Sequence, residues 1–396
     1  MLKTFTLALL FLVTWMPDSF TQEKPEVEVY LITCGPGTAT YSIYGHTALR
    51  IVIPSRNSDL VYNWGVFDFS TPNFAWKFAK GRLEYMLGVE SLNSFLQDYF
   101  YEERWVESQK INLQYDEIEI MFRLITENLK PENIKYRYDF FYDDCSTRVR
   151  DLIEESLGDK LIYPGEGKGK IPTFRQKTGE YQKPYPWLNL GINFLMGSPG
   201  DKKASFRDRM FLPEELQKVF SDTRIARGEE SVSLLEKPVR LLDSDPPSHK
   251  KFFLISPVFI FSLILLASIL FTGLVRGEKA NRITDIVIFL IFSVLAVLMI
   301  FFNFFTDHQQ MKWNLTIIWL NPFLILCLIS LIFNMNKKLW FRITFFITAF
   351  YLVFSPFLPQ EVNINFIPLI LLILLRTSVR SAFRWNPYTL PHLTQL

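Results

Sequence analysis

Cysteine and histidine are scarce in this 396-residue sequence, which holds three of the first and four of the second. So few cysteines exclude the disulfide framework of a small secreted scaffold. No CxxC or HExxH spacing occurs, so the sequence offers no zinc signature, structural or catalytic, and no cofactor is expected. An excess of one charge is missing as well. Lys and Arg number 42 against 40 Asp and Glu, a balance without the basic footprint of a nucleic-acid binder. Internal repeats and low-complexity tracts are lacking, which excludes solenoid and array architectures.

Apolar residues are abundant instead, at 49% hydrophobic and 16% aromatic, and they are unevenly spread. Residues 22–250 have ordinary soluble composition, whereas Leu, Ile and Phe crowd together after Lys251. Two regions are therefore expected. At the start, Lys3, the apolar run 5–15 and the small residues Ser19 and Thr21 before Gln22 read as a signal peptide over 1–21. An uncleaved anchor is the alternative. No cysteine follows a lipoprotein-type box, so lipidation of this chain itself is not expected.

Five apolar segments follow the linker 243–251, at 252–274, 283–305, 315–333, 339–358 and 364–375. Crossing a hydrocarbon core of about 30 Å takes roughly 20 residues. The fifth run covers only 12 residues and spans only if Thr377 and Ser378 are admitted at its boundary. Loop charges test the count, because short cytoplasmic loops are rich in Lys and Arg. Arg276, Lys279 and Arg282 separate the first two runs, Lys337, Lys338 and Arg342 the third and fourth, and Arg376, Arg380 and Arg384 follow the fifth. The intervening loops are nearly free of positive charge. The alternation predicts an all-α bundle of five transmembrane helices over 252–396, with the domain at 22–242 outside and the C-terminus in the cytoplasm.

Within 22–242 the pattern is α+β. Residues 27–33 alternate like a strand before a Gly-Pro-Gly turn, and 46–53 and 60–69 read as a hairpin around Pro54. Helical spacing of Ile120, Leu124, Ile125 and Leu129 predicts a helix over 116–129. Another follows Cys145, with Val149, Leu152, Ile153 and Leu157 on one face and Gly158 as its stop. Residues 163–200, rich in Gly, Pro, Lys and aromatics, read as a long ordered loop or lid. A short helix restarts at Pro213.

Candidate chemistry narrows quickly. His249 falls in the linker, His308 in a short outer loop and His392 near the tail, which leaves His46 as the base available to the soluble domain. Cys145 stands where a helix begins, and there the helix dipole favours a thiolate and free N–H groups can hold an oxyanion. Asp143 and Asp144 oppose this, since nearby carboxylates raise a thiol pKa. Taken singly, Cys145 reads as a small buried hydrophobe and His46 as a core histidine. Taken together, they read as nucleophile and base. Cys34 reads as structural, and a Cys34–Cys145 disulfide is the competing pairing.

Several strings carry a family resemblance: Leu31-Ile32-Thr33-Cys34-Gly35-Pro36-Gly37, Tyr44-Gly45-His46-Thr47-Ala48-Leu49-Arg50, Tyr62-Asn63-Trp64-Gly65-Val66-Phe67-Asp68-Phe69 and Asp144-Cys145-Ser146-Thr147-Arg148. They resemble the Lnb-type periplasmic domain, and the membrane part resembles that family's transmembrane domain. The resemblance implies a papain-like fold of the permuted NlpC/P60 type, in which the histidine strand precedes the cysteine helix. It also implies lipoprotein N-acyltransferase activity, with a phospholipid as acyl donor and a diacylated lipoprotein as acceptor. By this analogy Cys145 is the nucleophile and His46 its base, while Asp144 stands where Asn is expected before the cysteine and also suits a helix N-cap. A third residue should orient the imidazole. Asn63 is preferred over Asp68, because papain-like enzymes often use an amide there. Arg50 and Arg148 read as salt-bridge residues or as head-group ligands, and Phe74, Trp76 and Phe78 as core or as contacts to bilayer or acyl chain. A periplasmic cysteine hydrolase sharing the dyad, and a non-enzymatic binding module, are the rival readings.

Overall fold

The computed structural model describes residues 26–244, 255–335 and 337–381. The segment expected as a signal peptide, the linker beyond its first two residues and the tail after Ser381 lie outside the described residues.

Alternating β-branched and aromatic residues form β1 (Glu28–Cys34), β2 (His46–Ile53) and β3 (Ser58–Val66). The chain continues through α1 (Phe74–Lys80), β4 (Glu84–Ser91), α2 (Leu92–Tyr101), β5 (Val106–Lys110), α3 (Tyr115–Asn128), β6 (Lys135–Arg137) and α4 (Cys145–Leu157). After β7 (Leu161–Ile162) come α5 (Phe174–Gln182), α6 (Pro186–Leu195), α7 (Pro213–Asp222), β8 (Arg224–Arg227), β9 (Glu230–Ser233) and β10 (Val239–Leu242). Seven strands form one sheet in the order β10-β5-β1-β2-β3-β4-β6, antiparallel throughout, and β7-β8-β9 form a small second sheet.

Side chains alternate across a sheet, so each strand feeds two cores. Leu31, Leu49, Ile51 and Trp64 pack against Met121 and Ile125 of α3 and Val149, Ile153 and Leu157 of α4. Ile32, Cys34, Ala48 and Val61 face the other way, onto Phe95 and Tyr99 of α2. Each fully buried side chain of this size contributes about 1.5–3 kcal/mol. The domain is thus mixed α/β, with the cysteine helix on one face of the sheet and α2 on the other.

Residues 163–200 differ from the expected loop, since they carry α5 and α6. Thr173 caps α5 and Gln176 returns the bond, while Pro186 occupies the first turn of α6. The polar α5 shows no continuous apolar stripe, which hid it from periodicity. Leu190 and Phe194 of α6 pack onto the membrane half, so the segment brackets the two halves together.

The membrane half comprises α8 (Pro257–Leu274), α9 (Glu278–Phe304), α10 (Thr316–Trp319), α11 (Phe323–Ile332), α12 (Lys338–Phe354) and α13 (Ile367–Ser381). Four helical stretches among the described residues are long and apolar enough to cross a membrane: Pro257–Leu274, Glu278–Phe304, Lys338–Phe357 and Ile364–Ser381. Four of the five expected segments are thus helical stretches of full length, and the third, Thr316–Ile332, is a shorter apolar one. The third expected segment is broken between α10 and α11 around Asn321 and Pro322, because proline removes an N–H and cannot continue a helix. Trp319, Leu324 and Cys327 on either side of the break are buried among the other helices, the setting in which irregular backbone is tolerated at membrane depth. The last stretch does take in Thr377 and Ser378, whose hydroxyls donate to the carbonyls of Ile373 and Leu375 in their own helix.

Asp285 of α9 is fully buried between two arginines of α13, with Oδ1 2.5 Å from Arg376 Nε and Oδ2 2.5 Å from Arg380 Nε. Removing one partner of a buried ion pair costs about 3–5 kcal/mol, because the other charge is stranded. Asp285→Ala should lower the thermal midpoint of the detergent-solubilised protein accordingly, and Asp285→Ala/Arg376→Leu should recover part of the loss. An unchanged midpoint for the single variant would exclude the clamp as a stabilising element.

Candidate active site

His46 opens β2 immediately after Gly45, whose φ of +83° favours glycine. A Cβ at Gly45 would lie 2.7 Å from the carbonyl oxygen of Cys34, so the tight entry into the strand depends on its absence. His46 Nε2 lies 2.7 Å from Asn63 Oδ1 on β3. An amide oxygen only accepts, so Nε2 carries the proton and Nδ1 is left free to take one. The imidazole also stacks on Tyr99 of α2, centroids 6.5 Å apart. Asp68, the other candidate orienter, is exposed and accepts from the backbone N–H and hydroxyl of Ser70. It is a turn residue.

Cys145 is the first residue of α4, and Asp144 is its N-cap. The Asp144 carboxylate accepts from the N–H groups of Ser146 at 3.0 Å and Thr147 at 2.8 Å, and Thr147 Oγ1 accepts from the Asp144 N–H at 2.7 Å. Asp144 therefore satisfies helix-end donors, the role an asparagine at that position would also serve. The Cys145 N–H, at the first helical position, has no intrahelical acceptor and is available to an oxyanion. Asp143 is held by Arg148 in a two-pronged pair, and the guanidinium lies 3.9 Å from the Tyr136 ring centroid. Arg50 is likewise paired two-pronged with Asp59, both contacts at 2.7 Å. Both arginines are thus salt-bridge residues.

Gly65 joins the two halves of the site. It sits where the β3–β4 register shifts between Trp64 and Val66, with φ of +96°. A Cβ placed on Gly65 would lie 3.7 Å from Cys145 Cβ, 3.7 Å from Tyr138 Cε2 and 4.0 Å from His46 Cε1. Cysteine and histidine therefore border one small space, which the missing side chain leaves free. Cys34 and Cys145 are free thiols, so the alternative disulfide is not formed, and Cys34 is buried beside Tyr99.

Burial is the leading influence on the thiol and pushes Cys145 up. The backbone N–H groups of Thr47 and Ser146 and the Ser146 hydroxyl pull it down again. That hydroxyl lies 3.9 Å from Sγ and is itself held 2.9 Å from Thr47 Oγ1. Burial also lowers His46, to about 4, against the opposing bond to Asn63. The Asp144 carboxyl is pushed well above its ordinary range by burial. Desolvation is thus the largest influence on both groups, raising the thiol and lowering the imidazole, so both shifts disfavour a charged pair.

A pH dependence of stability follows. Folded His46 stays neutral down to about 4, whereas an unfolded imidazole takes its proton near 6.5. Between those values the unfolded chain binds more protons, so the contribution is complete above about 6.5 and is lost as pH falls toward 4. His46→Gln should flatten the acid decline of the thermal midpoint over that window. A decline identical to wild type would mean that other groups cause it.

Of the residues chosen from sequence, His46 and Asn63 are bonded and Cys145 borders the same glycine, while the adjoining Gly65, Thr47, Ser146 and Tyr138 are not among those chosen. Thr47 and Ser146 adjoin the chosen residues, yet the backbone donors they supply have no sequence signature. Among the described residues no group of three His, Cys, Asp or Glu side chains could hold a metal ion.

The chain matches the family model of the Lnb N-terminal periplasmic domain over residues 20–165 and that of the Lnb transmembrane domain over residues 248–385. It belongs to the Lnb family. Comparison with curated proteins and with solved structures gave no match. The first Lnb region contains His46, Asn63 and Cys145, and the pair of domains makes this a membrane-anchored protein with a periplasmic domain, in a family of enzymes.

Proposed function

We propose that this Lnb protein is a lipoprotein N-acyltransferase that works through a Cys145 thioester in a papain-like domain. The observation that carries the reading is the shared space at Gly65. There a helix-terminal cysteine meets an imidazole whose far nitrogen is tied to an amide oxygen at 2.7 Å, the polarity an acyl-transfer dyad needs.

In the first half-reaction His46 Nδ1 takes the thiol proton and Sγ attacks an ester carbonyl carbon of a phospholipid. The Cys145 N–H stabilises the oxyanion. The carbon–oxygen bond to glycerol breaks, the leaving alkoxide recovers the proton from His46, and a lysophospholipid departs. In the second half-reaction the α-amine of a diacylglyceryl-cysteine lipoprotein attacks the thioester and gives its proton to His46. The carbon–sulfur bond breaks and Cys145 is restored with an amide as product. Water would end the same cycle as a fatty acid, so the amine must be held in place.

Attachment to the membrane half supports a lipid-linked substrate. Arg82 pairs with Asp307 at 2.8 Å, Lys80 Nζ donates to the Phe305 carbonyl at 2.7 Å, and Asn314 Nδ2 donates to the carbonyls of Phe194 and Leu195. In this reading these contacts tie the site to the half that would lie in the membrane with both acyl donor and acceptor. The basic loops support a cytoplasmic C-terminus. A reporter active only in the periplasm should stay silent when fused after Leu396, and a signal from it would reverse that orientation.

The deciding experiment supplies phospholipid without an amine acceptor. Intact-protein mass spectrometry should show a fatty-acyl adduct that neutral hydroxylamine removes. Diacylglyceryl lipopeptide should then discharge it into an N-acylated product, and a lipopeptide with a blocked α-amine should leave it in place. Equal discharge to free fatty acid with both lipopeptides would identify a hydrolase instead.

A further inference from the structure

An aromatic series runs from the membrane half of the molecule to the catalytic cysteine. Trp76 of α1 lies 5.7 Å from Phe301 of α9, ring centroid to centroid, and the Phe78 carbonyl is bonded by His308 at 2.9 Å. Helix α1 is thereby pinned to the outer end of a membrane helix. Phe78 is stacked on Phe74 at 6.3 Å, Phe74 lies 6.0 Å from Phe67, Phe67 lies 5.2 Å from Tyr85, and Tyr85 lies 4.6 Å from Tyr138. Phe69 flanks the series at 5.1 Å from Phe74 and 4.9 Å from Phe67. Tyr138 ends it, against the same point beside Gly65 that Cys145 Cβ touches.

Most of these rings are left partly uncovered by the protein. Phe69 is 70% exposed, Trp76 58% and Phe78 53%, and Phe304 and Phe305 at the end of α9 are exposed to a similar degree. Large aromatics exposed together mark a contact surface. Here the surface continues the lipid-facing side of α9, which argues for the bilayer as its neighbour. Lys80 lies over Trp76 and Phe301 at 5.4 and 5.5 Å, so a cation stands beside the rings as at a membrane–water interface.

We propose that this aromatic track seats one acyl chain of the phospholipid donor, receiving it from the outer leaflet at α1 and leading its ester carbonyl to Cys145. The proposal rests on the acyl-transfer reading for its chemistry, but it concerns where the lipid lies. Apolar methylene groups gain by leaving water, and planar rings supply a surface that accepts chains of differing length.

The test uses the full chain carrying Cys145→Ser, reconstituted in phosphatidylethanolamine vesicles that contain a phosphatidylethanolamine with a diazirine at one acyl terminus. After irradiation, label should map to residues of the track as well as to membrane helices, and excess unlabelled phosphatidylethanolamine should compete it away. Label confined to the membrane helices, or found instead around Tyr136 and Arg148, would overturn the proposal. In the otherwise wild-type chain, Phe74→Ser/Phe78→Ser should slow acylation of Cys145 by phospholipid at least tenfold while leaving its alkylation by iodoacetamide unchanged. Equal slowing of both reactions, or of neither, would also overturn it. A wild-type chain that gives no thioester yet labels the track would sink the acyl-transfer reading and leave the lipid site standing.

Discussion

Cys145→Ser should abolish the acyl adduct, and His46→Ala should slow its formation by about 10²–10⁴-fold, the range supplied by a positioned general base. The reason lies in the resting state. Burial raises the thiol and depresses the imidazole, so both shifts disfavour the charged pair and attack by the thiol calls for a base. Two groups that act as a unit lose nearly everything when either is removed. Asn63→Ala should cost less, because the amide acts through His46 by fixing the ring at 2.7 Å. The measurement is adduct formation over time by intact mass, with alkylation of Cys145 as a check on folding. Near wild-type adduct formation by His46→Ala would remove the dyad, whatever Cys145→Ser does.

Gly65→Val should be nearly as damaging to activity while leaving the domain folded. A positive φ costs a residue with a Cβ roughly 1–2 kcal/mol, a bearable loss for a domain of this size. The space it would fill matters more. Its Cβ would reach 3.7 Å from Cys145 Cβ and 4.0 Å from His46 Cε1, and the γ-methyl groups would extend further into the space where the acyl carbon must sit. Displacing a reacting group by about 1 Å can cost 10²-fold, and exclusion costs at least that. Gly158→Ala is the control, because Gly158 also has positive φ, at +54°, but nothing stands within 4 Å of the added Cβ. Equal activity in the Gly65→Val and wild-type proteins would show that the reaction does not use this space.

The sequence by itself determined the elements whose periodicity is strong and local. Strand β2 starts at His46 and α4 runs from Cys145 to Leu157, because alternation and an apolar helical face are written in consecutive residues. It also determined the division into a soluble and an apolar half, because hydrophobic length is a sum along the chain. Cys145 and His46 could be paired by scarcity, since few residues competed for the roles. Helices α5 and α6 were hidden, as the first is polar and the second turns its apolar side to another domain. The break at Asn321 and Pro322 was hidden inside an apolar run, where a proline reads the same in a kinked helix as in a broken one. What only the tertiary structure decided is the contact of parts remote in sequence. Asn63 rather than Asp68 meets the imidazole because the β2–β3 register sets it opposite Ala48, on the face that His46 shares. Gly65 opens the shared space because a register shift turns its backbone there. The direction of the shifts at Cys145 and His46 was decided there too, because desolvation depends on what the fold packs around a group, and no string of neighbours in sequence encodes that.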